Sequence, residues 1–224
     1  MPLQNRVLPT GEIVVHPARG LLMGNRGCIH RPDRTLGVTR WRTKMWISCV
    51  LSFRGRKRDV MPPGRYTALF FLDEATALAA GHRPCGECRR ADHLWFAESW
   101  RAAQGLSARP RAWQMDEALH AERVDPRTRR KVTRSVRAGG LPDGAMISHA
   151  GTTGLWCGGT LLPWSLAGYG PPVTISPQAA VSLLTPPSIV AALAAGYRPM
   201  VHPSAGPTPL RPFPARLTAP ESAG

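Results

Sequence analysis

The run Pro84-Cys85-Gly86-Glu87-Cys88 sets two thiols three positions apart on a turn-forming sequence, the spacing with which a tight loop presents two thiolates to one tetrahedral metal at about 2.3 Å each. Pro84 and Gly86 suit the turn. Thioredoxin-like redox pairs share this spacing but open a helix after a parallel strand, whereas here a helical pattern precedes the pair. The expected ion is zinc, Zn2+, with Cys85 and Cys88 supplying half of a closed site. The candidates to complete it lie upstream: Cys49, Cys28 and His30, with His82 near enough to compete. Each histidine has a plain alternative as a hydrogen-bonded side chain, and Cys49 as a core thiol. Cys157, in the other half of the chain, reads as core.

A second constellation competes with the first. Pro-Cys-x-x-Cys also resembles the cysteine element of zinc-dependent nucleobase and nucleoside deaminases, and His120-Ala121-Glu122-Arg123 resembles their His-x-Glu element. In those enzymes the histidine and two cysteines hold zinc while the glutamate moves protons. The order of the two elements is reversed in this chain. Asp116 and His120 are four apart and share a helix face, so Asp116, His120 and Glu122 also offer acid, base or ligand chemistry to a nuclease-like enzyme.

Charge points to the partner. The 224 residues carry 29 Lys plus Arg against 14 Asp plus Glu, a net charge of +15. Such an excess costs the folded state self-repulsion and is the usual footprint of a polyanionic partner, DNA or RNA above all. Nearly all of it is arginine, the better bidentate phosphate ligand, although a GC-rich genome also produces arginine-rich, lysine-poor chains. The expected phosphate contacts are Arg54, Arg56, Lys57 and Arg58, then Arg89 and Arg90, then Arg129, Arg130 and Lys131, with a solvated face as the bland alternative. No stretch approaches the roughly twenty apolar residues that span a bilayer, so no membrane partner is expected. An odd count of five cysteines and an N-terminus without an apolar core predict a reducing, cytoplasmic setting.

The elements that must position these residues follow from periodicity and punctuation. Strands are expected at 46–53 and 66–72 as antiparallel neighbours. Asp73 caps a short helix that Gly81 ends. Leu94, Trp95, Phe96 and Trp100 mark a helix after Cys88, and a further helix spans Gln114 to Glu122. Short strands follow at 145–148, 154–157, 160–164, 173–175 and 181–184. Thr185-Pro186 then opens a last helix that Gly196 closes. The fold class is α+β: a small antiparallel sheet with helices around a zinc knuckle over residues 1–105, a second mixed β/α unit over 106–202, and a disordered tail over 203–224.

The stretch from Phe70-Phe71-Leu72 through the Ala-rich segment to Ala80-Gly81-His82-Arg83-Pro84-Cys85-Gly86-Glu87-Cys88-Arg89 resembles the second half of Ada-type zinc-binding domains of the methylphosphotriester DNA repair family. That family shows a Phe-Phe strand end, an Ala-rich helix, then Ala-Gly-aromatic-Arg-Pro-Cys-x-x-Cys-Arg. The match covers about twenty residues. It implies zinc, a basic nucleic-acid face and a link to DNA repair or its regulation. In that family four cysteines bind zinc, and the first of an upstream Cys-x-x-x-Cys pair accepts a methyl group from a DNA phosphotriester. Only Cys85 and Cys88 correspond residue by residue; the upstream pair is absent.

Overall fold

The computed structural model describes residues 2–56 and 59–214. The first sheet contains β1 (Gln4–Val7), β2 (Ile13–Val15), β3 (Leu22–Asn25), β4 (Ile47–Val50), β5 (Leu69–Phe71) and β6 (Arg83–Pro84) in the order β2-β1-β5-β3-β4-β6. The sheet is mixed rather than antiparallel, because β1 pairs β5 and β4 pairs β6 in parallel. The two strands expected to be neighbours are separated by β3, which pairs antiparallel with both. β3 is not among the expected strands, and its Gly24 and Asn25 are weak strand formers. Gly24 is there for close approach: a Cβ on it would lie 2.1 Å from the Ile47 carbonyl oxygen. Pro84 sits on the edge strand β6, where its missing N–H breaks no ladder.

Helix α1 (Glu74–Ala79) is buried along its whole length, which explains its small side chains. Ala77 and Ala80 pack with Leu22, Leu69 and Phe71 of the first sheet. Ala75 and Ala79 pack with Met146 and Leu155 of the second. The Asp73 carboxylate accepts from the Thr76 backbone N–H at 2.9 Å as the N-cap. It also accepts from the Tyr169 hydroxyl at 2.7 Å and the His202 N–H at 3.0 Å. Gly81, at φ +86°, ends the helix in a left-handed conformation, and a Cβ there would meet the Arg123 side chain at 2.5 Å.

The second sheet runs β11-β10-β9-β8-β13-β7, with β12 also on β10. Its strands are β7 (Arg134–Arg137), β8 (Met146–His149), β9 (Thr152–Cys157), β10 (Thr160–Ser165), β11 (Gly168–Tyr169), β12 (Val173–Thr174) and β13 (Ala180–Leu183). Helices α2 (Arg90–Ala103), α3 (Ala112–Arg123) and α4 (Pro187–Ala194) cover it. Phe96 and Trp100 of α2, Met115 and Leu119 of α3, Trp156 and Leu161 of the sheet, and Ile189 and Leu193 of α4 share one core. That core crosses the expected boundary at 105/106. The last helix begins one residue later than expected, with Pro187 in its first turn. Thr185 is not its cap, since its hydroxyl accepts from the Met146 N–H.

Residues 203–214, placed by composition in a disordered tail, are held against the body. β14 (Met200–Val201) pairs in parallel with β15 (Arg211–Pro212), and Leu210 and Phe213 are buried. The expected tail beyond 214 lies outside the described residues. Among the described residues no helix is long and apolar enough to cross a membrane. Replacing Asp73 by Ala removes a cap and leaves Tyr169 and His202 donors buried without an acceptor, so unfolding in urea should show a loss of about 3 kcal/mol or more. Tyr169→Phe, which removes one bond, should cost about 1 kcal/mol.

Candidate metal centre

The parallel register of β4 and β6 builds the centre. Ser48 is paired with Pro84, and the Cys85 N–H donates to the Ser48 carbonyl at 3.0 Å. The next residue on β4 is Cys49, so its side chain arrives beside the knuckle. The three Sγ atoms of Cys49, Cys85 and Cys88 lie within 4.8 Å of one another, near enough to converge on one ion, around which 2.3 Å bonds would set them roughly 3.8 Å apart. Cys49 and Cys85 are buried and Cys88 is half-buried. Among the described residues this is the one group of three or more side chains that could hold a metal ion.

The electrostatics of the trio suit a cation. Cys85 accepts from the thiols of Cys49 and Cys88 and from the Glu87 N–H at 3.4 Å, and these donors hold it far below the ordinary thiol range. Donation to Cys85 and Cys88, together with burial, pushes Cys49 up. Thiols this close oppose one another's ionisation, since each further thiolate adds a like charge. A bound cation would stabilise all three as thiolates.

The thiols open onto a cavity of about 270 Å³ that is also lined by Asn25, Arg56, Tyr66 and Glu87. Arg56 and Glu87 form an exposed ion pair at 2.9 Å. His93, which is not among the expected site residues, lies one turn into α2, and its ring packs against Gly86. A Cβ on Gly86 would be 3.5 Å from that ring. Its Nδ1 is 3.2 Å from the Pro84 carbonyl, to which it donates, so the ring braces the knuckle. Its position five residues after Cys88 was the available signal.

The other expected ligands are used elsewhere. His30 is buried with Nδ1 2.7 Å from the Thr67 hydroxyl and Nε2 3.2 Å from the Pro62 carbonyl. Since a carbonyl only accepts, Nε2 carries the proton, and both ring nitrogens serve the 62–67 loop. Cys28 Sγ donates to the His30 carbonyl at 3.9 Å. His82 packs edge-on against Phe71 with centroids 4.6 Å apart, and its Nε2 accepts from Arg26 Nε at 3.3 Å. None of the three belongs to the thiol group.

The acid and base candidates on α3 do not form a site with the thiols either. Asp116 takes a buried bidentate ion pair from Arg83, at 2.7 and 2.8 Å. Glu122 accepts from the Ser188 N–H at 3.0 Å and from its hydroxyl, serving the start of α4. His120 lies edge-on to Trp41, centroids 5.7 Å apart.

The basic residues divide by burial. Arg54 and Arg90 are exposed and Arg56 is exposed but paired. Arg89 is corrected from phosphate ligand to structural cation: it is 3% exposed and pairs with Glu74 at 2.7 Å and Asp92 at 2.9 Å. A carboxylate as buried as Glu74 requires that counter-charge. Arg129 and Arg130 are exposed on a turn organised by Asp125, whose carboxylate accepts from the Arg127 and Thr128 N–H groups. Lys131 turns inward, and its Nζ donates to the Ala79 carbonyl. Lys57 and Arg58 lie outside the described residues.

No protein-family model, curated protein or solved structure matches this chain.

Purified protein should bind about one metal ion per chain by elemental analysis. Cys49→Ser, Cys85→Ser and Cys88→Ser should each abolish that stoichiometry, while Cys28→Ser retains it. His82 generates a pH dependence. Burial, then Arg26 and Arg123, hold its folded-state pKa well below the ordinary 6.5. Below pH 6.5 the unfolded chain takes up a proton that the folded chain refuses, so stability falls as pH drops, by about 1.4 kcal/mol per unit. Urea midpoints between pH 7 and 5 should show this slope, and His82→Gln should flatten it.

Proposed function

We propose that this chain is a zinc-binding protein that engages nucleic acid, a distant functional counterpart of Ada-type zinc units in DNA repair or its regulation. The observation that carries the reading is the convergence of Cys49 with Cys85 and Cys88. Soft thiolates favour zinc among the common divalent ions, and Cys49, Cys85 and Cys88 would hold it. The knuckle is the segment on which the Ada resemblance rests, and Cys49 supplies a third thiol from a strand, as an upstream cysteine would. Arg54, Arg56 and Arg90 lie near the centre in sequence, in a chain of net charge +15, and suit contact with phosphates. The reading places the protein in the cytoplasm, with DNA or RNA as partner.

A second reading is a zinc-dependent enzyme acting on nucleic acid or nucleobases. The three-thiol set beside an open cavity favours it, because catalytic zinc sites commonly combine three protein ligands with an exchangeable position. When bound there, zinc would act as a Lewis acid on a group in that position. The residues around it are Asn25, Tyr66, Arg56 and Glu87 rather than His120 and Glu122.

Binding of duplex and single-stranded oligonucleotides, followed by fluorescence anisotropy, should weaken steeply from 50 to 200 mM salt. The combined Arg54→Ala, Arg56→Ala and Arg90→Ala variant should bind at least about tenfold more weakly and with a shallower salt slope. Absence of binding at 50 mM salt would sink the nucleic-acid reading. Glu87→Gln distinguishes the enzyme: metal content and binding should persist while any hydrolysis of oligonucleotide or nucleobase falls.

A further inference from the structure

A cavity of about 590 Å³ lies away from the thiols, between the β1–β2 turn, the segment after β3 and the end of α3. Six cations line it: Arg26, Arg40, Arg123, Arg129, Arg130 and Lys131. None of them forms an ion pair with a carboxylate among the described residues. Arg26 and Arg123 are each 2% exposed, and both guanidiniums stack on Trp46, with carbon-to-centroid distances of 4.1 and 3.9 Å.

Their hydrogen-bond partners are neutral. Arg26 donates to the Gly11 carbonyl at 3.0 Å and to His82, and Arg123 donates to the Gly81 and Lys44 carbonyls at 2.6 Å. Arg26 Nη2 and Arg123 Nε have no hydrogen-bond partner among the described residues. Arg26 Nη2 lies 4.0 Å from where a Cβ on Gly11 would stand, beside the Lys131 chain, on the cavity wall. Buried cations without an anion are costly. Burial and the Arg40 charge lower Arg26 to about 9, burial and the Arg26 charge lower Arg123 to about 9, and burial with the Arg26 and Arg123 guanidiniums lowers Lys131 to about 7.

We propose that this cavity is a binding site for a phosphate monoester of nucleotide size. A dianionic phosphate matches the cluster better than a carboxylate, since its three terminal oxygens accept from several guanidinium and ammonium groups at once. The volume falls in the range of small-molecule sites. Trp41, which lines the cavity beneath Arg129 at 4.4 Å, offers a ring against which a base stacks. The phosphate belongs to a free mononucleotide or to the end of an oligonucleotide. The site shares with the proposed function the expectation of a phosphate-bearing ligand, but it uses none of the metal ligands and none of Arg54, Arg56 or Arg90.

Inorganic phosphate and adenosine 5′-monophosphate are the probes, with adenosine as the control and tryptophan fluorescence and thermal shift as readouts. Saturable quenching and a rise in Tm with both phosphates, but not with adenosine, are expected. Arg26 and Arg123 are packed too deeply for clean truncation, so Lys131→Gln and Arg129→Ala carry the test. Lys131→Gln should bind at least tenfold more weakly while its ligand-free Tm is unchanged or higher. An oligonucleotide with a 5′-phosphate that competes better than its 5′-hydroxyl counterpart assigns the site to a nucleic-acid end; equal competition assigns it to the free nucleotide. No saturable response to either phosphate at millimolar concentration, or wild-type affinity in both variants, overturns the site. The Arg54, Arg56 and Arg90 variant should keep its phosphate response, so wild-type oligonucleotide binding in that variant counts against the proposed function alone.

Discussion

The buried ion pair between Glu74 and Arg89 is the interaction on which the rest of the molecule depends. Glu74 opens α1 and is fully buried. Its carboxylate accepts from the Tyr197 hydroxyl and the Met200 N–H, and faces Arg89 at 2.7 Å. Arg89 follows Cys88 directly and also donates to the Ser48 hydroxyl at 2.9 Å, next to Cys49. One guanidinium therefore ties together the knuckle, the strand carrying the third thiol, the central helix and the C-terminal segment. Removing either partner would leave an uncompensated buried charge, a loss of several kcal/mol.

The two regions of interest follow opposite electrostatic rules. At the thiols, three acidic groups converge in a small volume, and a cation would offset the repulsion between their ionised forms. At the cavity beside Trp46, buried cations share only neutral partners, and an anion would relieve theirs. α1 and the Arg123 contact at Gly81 connect the two, because Gly81 both ends the helix and admits the arginine. The chain's excess of arginine thus has three distinct uses: buried counter-ion at Arg83 and Arg89, unpaired cavity wall at Arg26 and Arg123, and solvated surface at Arg54 and Arg90.

Local chemistry was legible wherever one short segment decides the outcome. The Asp73 cap, the Gly81 stop, the helix after Cys88, the helix on either side of His120 and most strands of the second sheet could be read from spacing and turn residues. So could the Cys85/Cys88 pair, whose geometry depends on three consecutive bonds to its own neighbours. Strand β3 was hidden because Gly24, a weak strand former, is there for a close contact with β4 that only the fold creates. The order of residues 203–214 was hidden because burial of Leu210 and Phe213 outweighs a composition rich in proline.

The sequence by itself determined which thiols could pair at one turn and that the chain is strongly basic; both are properties of composition or of adjacent residues. Only the tertiary structure decided that Cys49, rather than Cys28, His30 or His82, stands beside that turn, because this depends on the parallel register of Ser48 with Pro84 across thirty-odd residues. It also decided which arginines are free, since a charge is committed or available only according to the carboxylates that folding brings to it.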